Sequence, residues 1–287
     1  MSALARADGR ARRRTGPAAL ALLTALAAAP AVAQNRPDLV TPDVLRVCAD
    51  PANMPYSSRT GEGFEDRIAA IIADELKVGL RHYWMPQGPG FVRNTLGLKL
   101  CDVMIGTTAG SDVVQNSNPY YRSTYALLLR RGDLPGVDRL GDPRLQGKRI
   151  GVVAGSPPIE HLGRAGLLDT MRTYALIVDR RYASPADEMA ADLKAGRIDL
   201  GVLWGPLAGD LARRDPELVI VPLVHEAGRP HLAYRITLGL RHNELDWRRT
   251  LNTVLRRREA DITRVLLEHG VPLLDEEDRI ITAERRP

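Results

Sequence analysis

The sequence lacks the features that would mark a metalloprotein, a membrane-spanning protein or a cofactor enzyme. Its six histidines show no spacing typical of a metal site, and no Asp-rich calcium loop is present, so we predict no bound metal. No segment approaches the roughly 20 consecutive apolar residues that a transmembrane helix requires. The loop at Gln87–Gly90 lacks the third glycine of a dinucleotide fingerprint, because Arg93 stands there, and we predict no cofactor.

The first 33 residues have the composition of a secretory signal peptide. Arg12–Arg14 form a basic region, Ala18–Ala29 is an almost unbroken apolar run, and Ala31–Ala33 supplies small residues before a cleavage site. The apolar run is too short to cross a bilayer. We therefore expect residues 1–33 to be removed during export to the periplasm, which leaves Gln34 as the first residue of the exported chain.

The excess of basic residues comes mainly from this segment. The whole chain carries 40 Lys and Arg against 35 Asp and Glu, a formal charge of +5. Residues 1–33 hold five of the arginines and one of the aspartates, so the rest of the chain has a charge of +1. A nucleic-acid partner is therefore not expected.

Strand and helix patterns alternate at the start of the exported chain. Leu45–Ala49, Leu80–Met85 and Asp102–Gly106 have the pattern of short strands. Phe64–Leu76 has apolar residues at helical spacing, and Phe91–Leu98 is predicted as a second helix. This order is typical of a doubly wound unit and predicts the α/β class.

A second alternating series follows a stretch rich in proline and glycine at 135–143. Strands are predicted at 149–153, 176–178 and 199–203, with helices at 158–168 and 185–194. Alternation returns at 233–240, and 244–268 is predicted as a long helical stretch.

These two series predict two lobes, each built on a doubly wound, mainly parallel sheet. Lobe 1 is expected to comprise residues 44–130 and 225–275, lobe 2 residues 135–224, and residues 276–287 form a C-terminal tail. Two extended crossings, near 125–130 and 223–232, are expected to form the hinge that lets the lobes close.

Three ordered groups of motifs resemble the type II periplasmic binding fold. The first is LRVCADPANMPYS from Leu45 with GFEDRIAAIIADEL from Gly63, and the second is CDVMIG from Cys101 with NPYYRS from Asn118. The third is GKRIGVVAGS with KAGRIDLGVLW and the late segment LNTVLRRREADITRVLLEHGVP. Together they cover essentially the whole exported chain. The resemblance implies a two-lobed protein with a cleft between the lobes.

The cleft of that fold is bordered by loops at the carboxyl ends of strands. Here those ends fall at 50–56, 107–110, 154–156 and 204–206. The residues predicted to line the cleft, for a ligand or a partner, are Asp50, Asn53, Tyr56, Phe64, Arg93, Thr107, Thr108, Tyr121, Ser156 and Trp204. Ser156 is also expected to cap the helix that follows it.

The charged anchors of an amino-acid receptor are missing. In amino-acid receptors of this fold an Arg grips the substrate carboxylate, and that position falls on Gly110. An Asp normally holds the ammonium group, and that position falls on Trp204. Since no Arg lies between Met104 and Tyr121, we expect no amino-acid receptor.

A closer resemblance is to the quinoprotein-dehydrogenase-associated J proteins, the MoxJ and XoxJ family. It rests on VCADP with NMPYS, GEGF, FVRNTLG, CDVMIG and PYYRSTY. It implies a periplasmic accessory protein that assists maturation or activation of a PQQ-dependent methanol or alcohol dehydrogenase, with the dehydrogenase and its cytochrome c as partners. A monomer is expected.

Two other functions are weighed against this one. The first is a solute-binding component of an ABC transporter for an uncharged small molecule. The second is a cleft enzyme such as a dehydratase, for which Asp50, Glu62, Glu65 and Asp66 could supply acid–base chemistry. Since nothing in the sequence pairs a base with a nucleophile, we predict that the protein is not an enzyme.

The two cysteines, Cys48 and Cys101, form either a disulfide or a pair of buried thiols. An oxidising compartment favours the bond. Strand alignment opposes it, because parallel neighbours aligned at their carboxyl ends would hold the two residues about 10 Å apart, beyond the roughly 7 Å that a disulfide allows between Cα atoms. Both alternatives stand at this point.

Overall fold

Strands and helices alternate along residues 39–282, the part of the chain that the computed structural model describes. The predicted signal peptide and the last five residues of the predicted tail lie outside this range. The first elements are β1 (Val44–Ala49), β2 (Ala52–Asn53), β3 (Ser57–Ser58), α1 (Phe64–Leu76), β4 (Gly79–Trp84), α2 (Phe91–Asn94), β5 (Met104–Thr108), β6 (Gln115–Asn116) and β7 (Tyr121–Arg130).

The second series is β8 (Ile150–Val153), α3 (Pro158–Arg164), β9 (Met171–Tyr174), α4 (Pro185–Lys194), β10 (Leu200–Trp204), α5 (Gly205–Arg214) and β11 (Leu218–Pro222). The chain then continues as β12 (Ala233–Leu240), α6 (Leu245–Arg257), α7 (Glu259–Glu268), β13 (Leu273–Leu274) and β14 (Ile280–Ile281). The predicted α/β class is confirmed.

Strand pairing combines parallel βα units with antiparallel returning strands. β1 pairs in parallel with β4, and β8 pairs in parallel with both β9 and β10. β12 runs antiparallel to β5, β6 and β7. Parallel strands need helical crossovers, and α1, α3 and α4 supply them.

β7 connects the two halves of the molecule. Its first part, Tyr121–Thr124, pairs with β12, and its second part, from Tyr125 onward, pairs with β10 and β11. Side chains alternate along the second part, so that Leu127 and Leu129 enter one apolar cluster while Ala126 and Leu128 enter another on the opposite face. A single strand therefore pairs with β12 at one end and with β10 and β11 at the other.

α1 carries much of the first core. Its N-terminus is fixed by Asp66, whose carboxylate accepts hydrogen bonds from the backbone of Ser58 (2.9 Å) and Gly63 (3.2 Å). Its apolar face, including Ile68 and Ile72, packs in one cluster with Trp247 and other residues of α6 and α7. The C-terminal helices thus cover the first βα series. The exact lobe boundaries stay a prediction.

Two predicted elements differ from the structure for local reasons. The strand expected at 176–178 is wrong: β9 lies at Met171–Tyr174, where it pairs with β8, and Leu176 and Ile177 are exposed. Tyr174 is buried in its place, so apolar composition alone misidentified the strand. The long helix expected at 244–268 is interrupted at Arg258, which lies between α6 and α7.

Two further helix boundaries were wrong, and two elements were missed. The helix expected at 91–98 ends at Asn94, and the helix expected at 158–168 ends at Arg164. Gly166, at φ +69°, adopts a left-handed conformation that ends the second of these. α5 and β11 were not predicted.

Cys48 and Cys101 are joined by a disulfide, with their Cα atoms 5.4 Å apart. The expected separation of about 10 Å was wrong because the chain bends at Asp102 instead of running straight into β5. The backbone amide of Cys48 donates to the carbonyl of Val103 (2.9 Å), and the bend brings Cys101 back beside β1. The bond therefore ties β1 to the start of β5.

Candidate functional site

A cavity of about 290 Å³ lies where β5, β7, β10, β12 and α1 meet. It is lined by Tyr56, Glu65, Gly106, Thr107, Thr108, Tyr121, Tyr125, Trp204, Tyr234 and Ile236. Half of these residues are tyrosine or tryptophan. Since the whole chain is only 5% aromatic, the cavity concentrates a scarce residue type.

Three rings form one wall of the cavity. The Tyr125 and Trp204 rings have centroids 5.4 Å apart, those of Trp204 and Tyr234 are 5.8 Å apart, and those of Tyr125 and Tyr234 are 6.5 Å apart. The angles between the ring planes are 66°, 73° and 69° in the same order. We call these three residues the aromatic corner.

Strand pairing brings the aromatic corner together. Trp204, at the end of β10, is the direct antiparallel partner of Tyr125 on β7. Tyr234, on β12, pairs with Ser123 of the same strand. The corner therefore combines one residue from β7 with one residue from each of its neighbours β10 and β12.

Glu65 supplies the only carboxyl group among the cavity-lining residues. It is the second residue of α1 and lies against the end of β5, where a Cβ at Gly106 would overlap its carboxylate oxygen. The pKa of Glu65 is raised to about 8, mainly by burial and to a smaller extent by the neighbouring Asp66, while the positive charge of Arg180 opposes the rise. The cavity therefore holds a carboxyl group that is largely protonated at neutral pH.

The phenols around the cavity are also poor acids. Burial raises the pKa of Tyr125 to about 12, with a smaller contribution from Tyr234. Burial raises the pKa of Tyr56 still higher, with Glu65 adding to the effect, and it holds the pKa of Tyr121 well above its usual range. These hydroxyls remain neutral hydrogen-bond donors and acceptors across the physiological range.

The predicted crossings hold the aromatic corner in place. The backbone amide of Leu223 donates to the Tyr125 carbonyl (2.9 Å), and the Tyr125 amide donates to the carbonyl of Leu232 (3.1 Å). The buried hydroxyl of Thr124 lies 3.2 and 3.1 Å from the carbonyl oxygens of the same two leucines. Movement at this junction would therefore move Tyr125 directly.

Polar contacts link the loops that carry Asn53, Gln87 and Arg180. Gln87 follows β4, and its side-chain oxygen accepts a hydrogen bond from Asn53 (3.0 Å) and lies 3.5 Å from a guanidinium nitrogen of Arg180. Arg180 belongs to the loop between β9 and α4. The exposed apolar side chains of Leu176 and Ile177 belong to the same loop.

Five of the predicted cleft residues lie in the cavity wall: Tyr56, Thr107, Thr108, Tyr121 and Trp204. The other five lie elsewhere. Asp50 and Asn53 shape the loop after β1: the Asp50 carboxylate accepts from the backbone amides of Ala52 (2.9 Å) and Gln87 (2.7 Å). Their side chains therefore support the rim and do not line the main cavity.

Phe64, Arg93 and Ser156 also lie outside the cavity. Phe64 is fully buried behind Tyr56, with ring centroids 5.1 Å apart. Arg93, on α2, lines a separate surface recess. The expectation that Ser156 caps a helix was wrong, because its hydroxyl donates to the carbonyl of Val153 (2.7 Å) and α3 has no side-chain cap.

Sequence reasoning missed Tyr125, Tyr234 and Ile236 as cavity residues. One signal was available, since Tyr121 and Tyr125 are four residues apart on β7 and therefore face the same side. Tyr234 needed the register between β7 and β12, which the sequence does not state. Glu65 was considered only for catalysis.

The cavity wall contains no Arg or Lys. Gly110, at the position expected for a carboxylate-binding Arg, lies in a turn at φ +84°, and its amide donates to Asn116 (3.0 Å). Trp204, at the position expected for an Asp, belongs to the aromatic corner. Neither expected position of a zwitterion clamp therefore carries its charged group, and the wall has no cation to hold a carboxylate.

Within residues 39–282, no group of three or more His, Cys, Asp or Glu side chains is arranged to hold a metal ion. No helix in the same range is long and apolar enough to cross a membrane.

The fold and the interlobe cavity define a protein of the two-lobed periplasmic-binding class. Comparison with solved structures confirms this. The crystal structure of the periplasmic binding protein XoxJ from Methylobacterium extorquens AM1 matches with a TM-score of 0.70 and 48% identity, over 81% of this chain and 100% of that one. MxaJ from Methlophaga aminisulfidivorans MPT matches with a TM-score of 0.68 and 24% identity, over 80% and 100% of the two chains, which supports the fold alone.

Curated sequences specify the family. Protein MoxJ of Methylorubrum extorquens is 31% identical over 304 residues, which cover 92% of this chain and 97% of MoxJ. The chain therefore belongs to the MoxJ and XoxJ family, as the motif resemblance predicted. No protein-family model matches it.

Proposed function

We propose that this protein is a periplasmic accessory that binds a PQQ-dependent methanol or alcohol dehydrogenase and assists its maturation or activation without catalysing a reaction itself. The observation that carries the proposal is the full-length similarity to MoxJ, at 31% identity over 92% of the chain. The 48% identity to the periplasmic binding protein XoxJ supports the same role and the same compartment.

The disulfide is a second argument for the periplasm. Structural disulfides persist in oxidising compartments and are rare in the cytosol of mesophiles. Cys48 and Cys101 are both buried and joined to each other. Their bond therefore lies in the interior, as expected of a structural disulfide. The signal peptide predicted at residues 1–33 would deliver the chain to that compartment.

The cavity suits a partner segment better than a free amino acid. A zwitterion loses hydration at both charged ends when it enters a cleft, and Gly110 and Trp204 return nothing where Arg and Asp would compensate. Removing one partner of a buried charge pair commonly costs about 2–5 kcal/mol. Without either anchor, amino-acid affinity falls below the range of a receptor.

Two loops with exposed apolar side chains offer contacts for a protein. Leu176, Ile177 and Tyr182 on the β9–α4 loop are 57%, 69% and 82% exposed, and Met54 on the loop after β2 is 44% exposed. Arg180 of the β9–α4 loop acts on the pKa of Glu65 in the cavity wall, which places that loop near the cavity, and exposed apolar patches are typical of interaction sites. We infer that these loops contact the dehydrogenase while the lobes close on one of its segments.

Calorimetry tests the proposal directly. The purified protein is titrated with the dehydrogenase in its PQQ-free and PQQ-loaded forms, and separately with a panel of amino acids. We expect binding to at least one dehydrogenase form and none to amino acids. Micromolar binding of an amino acid refutes the second part, and absence of binding to every dehydrogenase form favours a transport receptor.

A matched pair of variants locates the contact. Tyr182→Ala removes an exposed ring from the β9–α4 loop, and Leu98→Ala removes an apolar side chain that is also exposed (62%) but belongs to the turn after α2. We expect only Tyr182→Ala to weaken dehydrogenase binding. Equal effects of the two substitutions would contradict the assigned surface.

A further inference from the structure

The aromatic corner has the dimensions of a cation-binding cage. A cation interacts well with an aromatic ring when it lies over the ring face within about 6 Å of the centroid. If three mutually perpendicular faces each lie about 4.0–4.5 Å from one cation, geometry places their centroids about 5.7–6.4 Å apart. Of the observed separations of 5.4, 5.8 and 6.5 Å, one lies in this range and the other two lie just outside it, and the angles of 66–73° are somewhat below perpendicular, so the arrangement is close to that of a cage.

Packing alone does not account for these three rings. Edge-to-face pairs in a protein core have similar spacing, but a core closes around them. Tyr125, Trp204 and Tyr234 are each only partly buried and border one open cavity. The hydroxyl groups of Tyr125 and Tyr234 make no hydrogen bond to a described residue. They therefore remain available to a ligand.

Glu65 adds a carboxyl group to the same cavity. Most carboxylates of the described residues pair with an Arg, a Lys, a His or a backbone amide, but no ion pair and no hydrogen bond from a described residue reaches the carboxyl group of Glu65. This side chain is partly buried in the cavity wall, and a carboxylate withdrawn from water without a partner is costly. A ligand that brought a positive charge would relieve that cost and would face the aromatic corner at the same time.

We propose that this cavity binds an organic ammonium group, with the aromatic corner contacting its alkyl substituents and Glu65 facing its charge. The group can come from two sources, a free alkylated amine or the side chain of a lysine on a partner protein. The proposal does not require the dehydrogenase role, because it concerns a cavity that is complete in this chain.

The electrostatic surroundings give the site a characteristic pH dependence. Asp66 on α1 disfavours ionisation of Glu65, and Arg180 from the β9–α4 loop favours it. Tyr56, Tyr120 and Tyr121 also face Glu65, and each has a pKa raised far enough to stay neutral below pH 9. Glu65 is therefore the group that gains negative charge between pH 7 and 9, and affinity for a permanent cation should rise over that interval.

Choline is the direct probe, since its charge does not depend on pH. Its uncharged analogue 3,3-dimethyl-1-butanol has nearly the same shape and serves as the ligand control. Binding to the purified protein is followed by calorimetry and by tryptophan fluorescence. We expect choline to bind with a dissociation constant below about 1 mM, and the alcohol to bind at least about tenfold more weakly.

Three variants separate the contributions. Trp204→Leu should weaken choline binding at least about tenfold, while Leu98→Ala, at an exposed side chain in the turn after α2, should leave it unchanged. Glu65→Gln should abolish the rise in affinity between pH 7 and 9. Circular dichroism of each variant checks folding. If Trp204→Leu is unfolded, the comparison of choline with 3,3-dimethyl-1-butanol in the unmodified protein still tests the proposal.

A competition arm distinguishes the two sources. A neutral peptide that contains one lysine is compared with the same peptide carrying acetyl-lysine. Displacement of choline by the first peptide alone assigns the site to a partner side chain, and binding of choline without any peptide effect assigns it to a free amine. The proposal is overturned if choline and its uncharged analogue bind equally or if neither binds. Either result leaves dehydrogenase binding as a separate question, since that titration needs no choline.

Discussion

Removal of the Cys48–Cys101 disulfide should destabilise the protein strongly. The bond closes a loop with a sequence separation of 53 residues. In the chain-entropy treatment, a loop of that length restricts the unfolded state by about 4 kcal/mol at 25 °C, and measured effects are typically about 2–4 kcal/mol. Both cysteines also pack against Phe91, Leu96 and Met104, so the Cys48→Ala/Cys101→Ala protein should lose about 2–4 kcal/mol of unfolding free energy.

Equilibrium unfolding in urea measures this loss. Unmodified protein is compared with the double alanine variant, each with and without a thiol reductant. We expect the reductant to lower the midpoint of the unmodified protein toward that of the variant and to leave the variant unchanged. Because the unbridged chain is more expanded when unfolded, the denaturant slope should also rise.

The disulfide also bears on the cavity. It joins β1 to the start of β5, and β5 carries Gly106, Thr107 and Thr108 in the cavity wall.

A loss of unfolding free energy smaller than about 0.5 kcal/mol, a size typical of surface substitutions, would refute the reasoning that this bond constrains the unfolded chain.

Three further predictions concern single residues. Gly209→Ala should cost about 1–3 kcal/mol in chemical unfolding, because a Cβ there would overlap the backbone carbonyl of Gly270, whereas Gly141→Ala, with open space around it, should be neutral. Gly106→Ala should cost little unfolding free energy, because the added Cβ would overlap only the end of the flexible Glu65 side chain. The substitution should displace the Glu65 carboxyl group toward water and so lower its raised pKa, which an NMR titration measures. An unchanged pKa would contradict the placement of Glu65. Glu65 has a pKa of about 8 when folded against about 4.3 when unfolded, so the folded state holds more protons between those values and stability should fall as pH rises through them. Glu65→Gln should therefore be more stable than the unmodified protein at pH 9 and equal to it at pH 4, and the same difference at both pH values would contradict this assignment.

Regular apolar spacing predicted two elements with their correct bounds. α1 was predicted at Phe64–Leu76 and β12 at Ala233–Leu240, and both have those bounds in the structure. Each has a regular apolar spacing that only one type of element satisfies. Leu176 and Ile177 were wrongly predicted as part of a strand because they are apolar, although they lie on an exposed loop. A strand pattern of three residues is too short to distinguish the two cases.

The candidate site was predictable only in part. The sequence was sufficient to predict the residues at strand ends, where this class of fold places its cleft. These are Tyr56, Thr107, Thr108 and Trp204. Tyr234 joins them through the antiparallel register of β12 and β7, a long-range pairing that local sequence does not determine. The disulfide depended similarly on a single bend before β5.

Reconstitution of the dehydrogenase tests the central claim most directly. PQQ-free dehydrogenase is incubated with PQQ in the presence or absence of this protein, and the appearance of methanol-oxidising activity is followed over time. An accessory that assists maturation or activation should increase the rate or the final extent of activation, and Tyr182→Ala should reduce that increase. Identical activation with and without the protein, under conditions in which both are folded, would contradict the assigned function.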